Sequence, residues 1–347
     1  MATGEKCFIG LPMADVESTI APSLGERPSA IRFVRHLGAG LALLAVSACD
    51  GIQVPNIGLG EPDDGAGAKR GIALAPAPLP RYAAGERFHY SDGRIEQVLA
   101  LDGNRVFWRR VGGSDFTGGR DFTLPRSAWV WRGKTGSDVL EGAPPSLWPL
   151  QVGKATRLSV RRTVTDTDGQ SQSSLRDWRC HVADTVLTKV RIGTFEAYEV
   201  RCVRYADNNP VEVRIWHYAP EVAHYVRYER RLRRRPPLIR ELVAIDPPAE
   251  VMSQRVRAQQ EEAVQQSLEQ QPQGAAIPWG DPRGANGAVT PLTTFRGGDG
   301  RYCRSYLITL VVEGARDGQT GMRGYPALAC REAGQWLPGY QRDTPAS

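Results

Sequence analysis

"EAYEVRCVRYADNNPVEVRIWHYA", residues 196–219, is the stretch that decides the fold class. Before the turn residues "ADNNP", apolar side chains alternate with Glu199 and Arg201, and after them with Glu212 and Arg214. The alternating apolar residues are Tyr198, Val200, Cys202, Val211, Val213 and Ile215. A period of two predicts strands with one buried and one solvated face. Two such runs around a turn predict an antiparallel pair.

The same signal extends over residues 81–246. In "YSDGRIEQVLALDGNRVFWRR", residues 90–110, Asp-Gly occurs twice between apolar positions, which is typical of hairpins. We therefore predict a mainly β protein, with an antiparallel β domain of about eight to ten strands at residues 81–246. Its architecture is a sandwich or a lipocalin-like barrel, and alternation alone does not distinguish the two.

Two further regions follow this β domain. Residues 247–275 are rich in Glu, Gln, Arg and Ala and carry only a thin apolar stripe, which predicts a helical spacer and linker, with a surface helix as the alternative. Residues 276–340 return to short strands, and residues 341–347 form a tail. A β module as small as this has a marginal hydrophobic core, so we expect a covalent staple in it.

The composition fits an ordered protein with many turns. The 347 residues include 37 Gly and 25 Pro, with 41% hydrophobic and 24% charged residues and a formal net charge of +6. This length favours two folded units. After the first fifty residues, no apolar run approaches the roughly 20 residues of a transmembrane helix. Any membrane attachment is therefore expected near the N-terminus.

The segment "LALLAVSACDG", residues 41–51, follows a basic patch at residues 32–36. Basic, then apolar, then small residues is the order of an export signal. Residues 46–49, "VSAC", resemble the lipobox of bacterial lipoproteins. This resemblance implies that residues 1–48 are an N-terminal extension and a signal peptide, and that the thiol of Cys49 receives a diacylglycerol. The alternative is a buried core helix with a free thiol at Cys49.

The residues on either side of this signal complete the prediction for the N-terminal region. Asp50 resembles the inner-membrane sorting signal of enterobacterial lipoproteins. Residues 49–80 are rich in Gly, Pro and Ala without apolar periodicity, which predicts a lipidated flexible tether. Acidic residues precede the basic patch, so we also expect the true translation start to lie downstream of Met1.

Four cysteines remain once Cys7 is removed with the N-terminal region and Cys49 is lipidated, and these four are predicted to form disulfides. In an oxidising compartment, an even number of cysteines in each domain favours pairing within the domain. The expected bridges join Cys180 to Cys202 and Cys303 to Cys330. A zinc site is the alternative, but no pair of cysteines has the close spacing of structural zinc ligands. We expect no metal, and no cofactor apart from the covalent lipid on Cys49.

The segments "WGDPRGANGAVTPLTTFRGGDGRYCRSYLITLVVEG", residues 279–314, and "GYPALACREAGQW", residues 324–336, resemble the C-terminal module of the rickettsial 17 kDa surface antigen family. The matching residues are Trp279, Pro282, Asn286, Gly287, Cys303, Arg304, Tyr306, Ala329, Cys330, Arg331 and Trp336. Members of that family are envelope lipoproteins, so the resemblance implies an envelope location. The glycine-zipper segment of their first half is missing here, and pore-like behaviour is therefore not implied.

Sequence motifs for catalysis are not evident. The sequence has no Gly-x-Ser-x-Gly elbow, phosphate loop, dinucleotide fingerprint or His-Glu-x-x-His. His217 and His224 flank "YAPEVA" and would bind a metal or act as a base only by converging with a third group. Histidines satisfied by their surroundings are the simpler interpretation. We predict no catalytic residues and no enzyme activity.

Trp129 and Trp131 lie two residues apart and share a face if "SAWVWRG" is a strand. Core packing is the preferred interpretation of this pair, since aromatic side chains dominate small β cores. The alternative is an exposed platform for sugar rings or for an apolar ligand.

The segment "RYERRLRRRPP", residues 227–237, holds six arginines. As a solvated hairpin tip it needs no function, but it also suits contact with anionic headgroups or polyanionic envelope polymers. The candidate contact residues are Arg227, Arg230, Arg231, Arg233, Arg234 and Arg235. Export argues against nucleic acid as a partner, although such clusters often bind it.

Together these features predict a lipid-anchored, periplasm-facing protein of the bacterial envelope, in the inner or the outer membrane. Its expected role is structural or interactive, with envelope proteins, peptidoglycan or anionic headgroups as partners. The alternative is a carrier or sensor whose β domain encloses a small apolar ligand; a closed barrel with a cavity of about 300 Å³ or more would favour it. A second alternative, an envelope-polymer hydrolase, requires a cleft that joins His217 or His224 to a carboxylate.

Overall fold

The computed structural model describes residues 73–143, 146–282, 284–312 and 321–339. Cys49 and Asp50, the signal, most of the tether and the tail lie outside these described residues.

Twelve antiparallel strands form a barrel, which closes where the first strand pairs with the twelfth. The sandwich alternative is therefore wrong, and the strands outnumber the expected eight to ten. The strands are β1 (Arg87–Tyr90), β2 (Ile95–Asp102), β3 (Arg105–Arg110), β4 (Asp115–Gly119), β5 (Ala128–Trp131), β6 (Lys134–Leu140), β7 (Ala155–Thr165), β8 (Ser171–Val190), β9 (Gly193–Ala206), β10 (Asn209–Ala219), β11 (His224–Leu232) and β12 (Arg235–Asp246).

The hairpin of β9 and β10 shows which face of the barrel wall is buried. On β9, Tyr198, Val200 and Cys202 belong to the interior cluster, as the alternation predicts. On β10, the interior residues are Trp216 and Tyr218, with Arg214 and Glu212 in phase with them. The remaining apolar residues of the pattern, Val213 and Ile215, pack with Val203 in a separate small cluster. On both strands these apolar residues are therefore buried, but those of β10 lie on the face opposite to the interior cluster.

One end of the barrel is plugged by two inserted segments. Because consecutive strands are antiparallel, alternate turns lie at opposite ends. At the plugged end, Ala77 and Leu150 exchange backbone hydrogen bonds of 3.0 and 2.8 Å. The hydroxyl of Tyr198 donates to the carbonyls of Leu74 and Ala75 at 3.0 and 2.9 Å, and that of Tyr218 donates to the carbonyl of Pro78 at 3.2 Å. Satisfied tyrosines and packed apolar side chains close this end.

A second sheet of five antiparallel strands follows the barrel in the chain. Its strands are β13 (Ile277–Gly280), β14 (Asn286–Arg296), β15 (Tyr302–Val312), β16 (Gly321–Glu332) and β17 (Gln335–Pro338), paired in chain order. It is preceded by a short 3-10 helix (Ala249–Val251) and by helix α1 (Gln254–Gln270). Among the helices within the described residues, none combines the length and apolar composition needed to cross a bilayer.

Helix α1 packs against β13, β14 and β17 of this sheet, which fits a surface helix rather than a spacer. Ser253 caps its N-terminus by accepting a hydrogen bond from the backbone N–H of Val256 at 3.3 Å. The helix buries Val256, Ala263, Ser267 and Leu268. A narrow buried stripe suffices here because the helix covers a single sheet face.

The second unit is joined to the barrel through a buried carboxylate. Glu86, which directly precedes β1, has no exposed surface. It accepts a hydrogen bond from the hydroxyl of Tyr325 at 3.2 Å and lies 2.8 Å from Arg323, both on β16. Burial raises the pKa of Glu86, and the Arg323 guanidinium opposes this shift. β12 and β16 also pack against each other, which makes the hydrophobic core continuous.

Both predicted disulfides are present. Cys180 on β8 is bonded to Cys202 on β9, and Cys303 on β15 is bonded to Cys330 on β16. In each case the two cysteines are direct cross-strand partners. Neither bridge requires a loop to reorganise, because the sheet register already brings the two side chains together.

Candidate functional site

The barrel encloses a cavity of about 540 Å³ above its plugged end. The floor is formed by Tyr82, Phe122 and His224. Toward the opposite end, the lining residues Val130, Trp131 and Leu238 are 45%, 52% and 40% exposed. They lie beside the β5–β6 and β11–β12 turns, which share one end of the barrel. The cavity therefore opens to solvent at the end away from the plug.

Arginine is the dominant charged residue of the cavity wall. Seven arginines line it, against the three carboxylates of Glu96, Asp121 and Asp138. Glu212 and Asp92, behind the lining, pair with three of these arginines, which leaves an excess of two positive charges. The arginines are Arg94, Arg110, Arg126, Arg162, Arg214, Arg230 and Arg240. A concave wall with one dominant sign of charge concentrates ions of the opposite sign.

The first arginine group surrounds Glu96 on β2. One oxygen of this buried carboxylate lies 3.5 Å from Arg94, 3.5 Å from Arg110 and 3.3 Å from Arg126. Burial raises the pKa of Glu96, but Arg126 and the other arginines lower it by more, so the carboxyl is a stronger acid than usual. Burial and the neighbouring Arg94 and Arg126 lower the pKa of Arg110. Three guanidinium groups are thus crowded around one anion.

A second arginine group surrounds Glu212 on β10. Its carboxylate lies 3.2 Å from Arg204, 2.8 Å from Arg214 and 2.7 Å from Arg230. Burial raises the pKa of Glu212, yet the arginines bring it down to about 2. Here too one carboxylate faces three cations. The two groups place excess positive charge on different strands of the same cavity.

Aromatic rings occupy the wall between these charged groups. The guanidinium of Arg126 lies 3.6 Å from the ring centroid of Phe116, which stacks on Trp108 at 5.9 Å. Arg162 lies 5.5 Å from the ring of Trp129. Gly136 provides the space for this ring, since a Cβ there would lie 2.0 Å from Trp129 Cζ2. The wall therefore offers flat apolar surfaces beside cations.

The two tryptophans differ from the preferred interpretation of core packing. Trp129 is half-buried and packs against the core, but Trp131 is 52% exposed at the cavity mouth. Both line the cavity. The alternative, an aromatic platform, describes their position better.

His224 is a buried base at the floor of the cavity. Hydrogen bonds join its Nδ1 to the Tyr82 hydroxyl at 3.1 Å and its Nε2 to the Tyr90 hydroxyl at 2.8 Å. Burial lowers the pKa of His224 well below its ordinary value of 6.5, and Arg323 lowers it further. A neutral imidazole donates one of these hydrogen bonds and accepts the other, so both tyrosines can be satisfied.

Lowering the pH below about 6.5 is expected to destabilise the fold through His224. Its pKa is lower in the folded chain, so its stabilising contribution is complete above pH 6.5 and is lost as the pH falls toward the folded pKa. The slope for one such group approaches about 1.4 kcal/mol per pH unit. Urea unfolding between pH 7 and pH 5 measures this slope, which His224→Gln should reduce. His217→Gln is the control, because burial also lowers the pKa of His217, but only moderately. An equal reduction in both variants would contradict the assignment.

The two histidines do not converge. His217 accepts or donates a hydrogen bond at 2.7 Å with Thr188 and lies 3.8 Å from Glu199, whereas His224 bonds to tyrosines inside the barrel. Within the described ranges, no three His, Cys, Asp or Glu side chains form a group suited to a metal ion. The absence of enzyme activity stays a prediction.

The six-arginine segment is divided between three environments. Arg227 and Arg231 are paired with Glu241 and Glu229 at 3.0 and 2.6 Å, and Arg230 lines the cavity. The three that remain, Arg233, Arg234 and Arg235, are exposed at the β11–β12 hairpin tip. Their contact with an anionic surface stays a prediction. The cavity arginines at positions 94, 110, 126 and 240 were missed by sequence reasoning, because it treated charged strand positions as solvated.

In the second unit, the residues of the Cys-Arg motif attach α1 to the sheet. Arg304 donates to the carbonyls of Leu268 and Gln271, at the C-terminal end of α1, at 2.6 and 3.0 Å. The indole N–H of Trp336 donates to Glu269 at 2.9 Å. Gly287 permits close packing, since a Cβ there would lie 1.8 Å from the carbonyl oxygen of Thr309. These residues therefore build the fold of the unit.

The family model of the 17 kDa outer membrane surface antigen matches residues 266–337. The C-terminal module is similar to the 17 kDa surface antigens. The 17 kDa surface antigen of Rickettsia bellii (strain RML369-C) is 36% identical over 87 residues, covering 24% of this chain and 51% of the relative. That of Rickettsia prowazekii (strain Madrid E) is 39% identical over 74 residues, covering 21% and 43%.

The family-model match runs from the last residues of α1 into β17. The chain spans about half the length of the curated relatives it matches. Among solved structures, the hypothetical lipoprotein YmcC from Escherichia coli (K12) aligns with 7% identity and a TM-score of 0.33, over 51% of this chain and 92% of that one.

Proposed function

We propose that this protein is a lipid-anchored binding protein of the bacterial envelope whose barrel holds one small organic ligand, as a carrier or a sensor. The observation that carries the proposal is the closed barrel with its cavity of about 540 Å³. Small-molecule sites typically have volumes of about 300–1,000 Å³ and few, well-placed polar groups. The cavity is open at one end and plugged at the other, which suits entry and retention of a ligand.

The envelope location rests on two features of the sequence. The C-terminal module is similar to outer membrane surface antigens, and the segment ending at Cys49 resembles a lipobox. Acylation of Cys49 would hold the barrel near a membrane, facing the periplasm. Two or three acyl chains suffice for stable anchoring, because each buried methylene contributes about 0.8 kcal/mol.

The residues that line the cavity argue against the purely apolar ligand that the sequence suggested. A small apolar ligand would meet aromatic surfaces but also seven guanidinium groups. Buried cations are poorly solvated by an apolar molecule, and their desolvation would oppose its binding. The ligand therefore needs polar atoms as well as an apolar body.

A neutral fluorescent probe tests whether the cavity binds ligands at all. N-phenyl-1-naphthylamine should bind one-to-one to the full chain with Cys49→Ala, a form that needs no detergent. Gly118→Phe should abolish binding, because Gly118 lines the cavity and a Cβ there meets no atom within 4 Å. The new ring would fill the cavity without disturbing the wall.

The matched control is Gly298→Phe, at a position in the β14–β15 turn that is equally free of close contacts. It should leave binding of the probe unchanged. Failure of both this probe and its sulfonated analogue, 8-anilinonaphthalene-1-sulfonate, to bind, or equal binding by Gly118→Phe, would overturn the carrier or sensor proposal. That result would favour a purely structural role among envelope proteins, peptidoglycan or anionic headgroups.

A further inference from the structure

The charge of the cavity specifies more than a ligand of suitable size. We infer that the barrel binds an anionic amphiphile, with its oxyanion head at the arginines around Glu96 and its apolar body on the neighbouring rings. This inference rests on the proposed function and names the ligand class of the same site. The head is a group such as phosphate or sulfonate, and the body is aromatic or acyl.

The position of the head follows from charge that the protein leaves uncompensated. Arg94, Arg110 and Arg126 all approach a single oxygen of Glu96, at 3.3–3.5 Å. One carboxylate balances one of these cations, so an excess of two positive charges remains. Arg240 adds none, because it is paired with Asp92 at 2.8 Å. A phosphate with up to two negative charges would balance this excess.

The hydrogen-bonding state of the arginines agrees with this assignment. The Nε of Arg110 is buried and has no hydrogen-bond partner among the described residues. The three contacts to Glu96 are also long for charge-assisted hydrogen bonds, which are usually about 2.7–2.9 Å. The donors around this carboxylate are therefore only partly used. An oxyanion with several acceptor oxygens would complete them.

The position of the body follows from the rings beside these arginines. Arg126 lies against Phe116, and Phe116 against Trp108. Trp129 and Trp131 continue the aromatic surface toward the open end. A ligand whose head reaches the arginines would therefore place its rings or chain along this wall.

Two probes with the same skeleton isolate the charge. 8-Anilinonaphthalene-1-sulfonate carries the rings of N-phenyl-1-naphthylamine and one added sulfonate. It should bind at least about tenfold more tightly than the neutral probe, because hydrogen bonds to a charged group raise affinity by about one to two orders of magnitude. The advantage should shrink as salt is added, because part of it is screened.

Substitutions locate the head. Arg110→Gln should remove most of the affinity that the sulfonate adds and leave the affinity for the neutral probe unchanged. Glu96→Gln should tighten binding of the sulfonate probe several-fold, because it removes the carboxylate that all three arginines approach. A merely structural role for Glu96 would instead weaken both probes together. The matched control is Arg109→Gln, at the position before Arg110 on β3. The side chain of Arg109 is 53% exposed and forms an ion pair with Asp115.

Competition distinguishes the two sources of such a ligand. Dodecyl phosphate represents a lipid, 1-naphthyl phosphate represents a soluble ester, and inorganic phosphate represents the head alone. Displacement of the sulfonate probe by dodecyl phosphate indicates a lipid ligand, and displacement by 1-naphthyl phosphate indicates a soluble one. Displacement by inorganic phosphate at equal concentration would contradict the need for an apolar body on the ligand. If the neutral probe binds and the sulfonate gives no advantage, this inference fails and the proposed function stands. If neither probe binds, both fail.

Discussion

Arg304→Met should lower the free energy of unfolding of the C-terminal module, which consists of α1 and β13–β17, by about 3 kcal/mol. The guanidinium of Arg304 is buried and donates to two carbonyls at the C-terminal end of α1. The last carbonyls of a helix have no partner within it, and a cation there also favours the helix dipole. Methionine would fill the volume of the aliphatic stem but leave both carbonyls without their donors.

Arg331→Met is the matched control for this substitution. Arg331 follows the other motif cysteine and forms an ion pair with Glu269 at 2.8 Å, but the two side chains are 47% and 45% exposed. Exposed pairs contribute at most about 1 kcal/mol. Urea unfolding gives the two free energies, and amide hydrogen exchange over residues 265–271 shows whether the end of α1 opens. Equal losses in the two variants would show that the buried arginine has no special role.

The contrast between Arg304 and Arg331 shows what the sequence could reveal about the module. Both stand in Cys-Arg pairs, and the pairs are sufficient to detect the resemblance. The pairs alone do not show that one arginine is buried under a helix and the other exposed. That difference depends on which face of the sheet α1 covers, and α1 was interpreted as a spacer because its buried stripe includes small and polar residues such as Ser267 and Gln260.

The strands of the barrel were predictable from the sequence, but the charged character of its interior was not. The alternation around the turn at residues 207–208 predicted the β9–β10 hairpin correctly. The rule that apolar residues are buried holds on β10 for Val213 and Ile215, but they are buried on the face opposite to the interior cluster. Arg214 and Glu212 lie on the interior face instead, because an ion-lined cavity lies there. The pattern therefore showed which residues are buried but not which face of the strand points into the barrel.

The candidate site depends on closure of the barrel. Glu96 and Arg110 are neighbours because β2 pairs with β3, and this hairpin is local in sequence. Arg240 reaches the same region only because β12 returns to pair with β1. No local pattern determines that last pairing, so the arginines of the cavity could not be grouped before the strand order was known.

Replacing Cys303 and Cys330 together with alanine should lower the free energy of unfolding of the module by about 3 kcal/mol. The bridge joins residues 27 apart in sequence, and on the chain-entropy estimate its main effect is to restrict the unfolded chain. The module also has a small core, so it depends on this restriction more than a larger domain would. Urea unfolding of the oxidised protein, with module and barrel followed separately by amide hydrogen exchange, measures the loss.

The single variants identify the bridge as the cause. Once Cys303→Ala has broken the disulfide, adding Cys330→Ala should change the free energy little, so the two single losses are strongly non-additive. The matched control is the double replacement of Cys180 and Cys202, which removes a bridge of similar span, 22 residues, from the barrel. That variant should increase hydrogen exchange in β8 and β9 and leave β15 and β16 protected. Additive losses from Cys303 and Cys330 would instead assign the effect to side-chain packing, since each cysteine is also buried in the core.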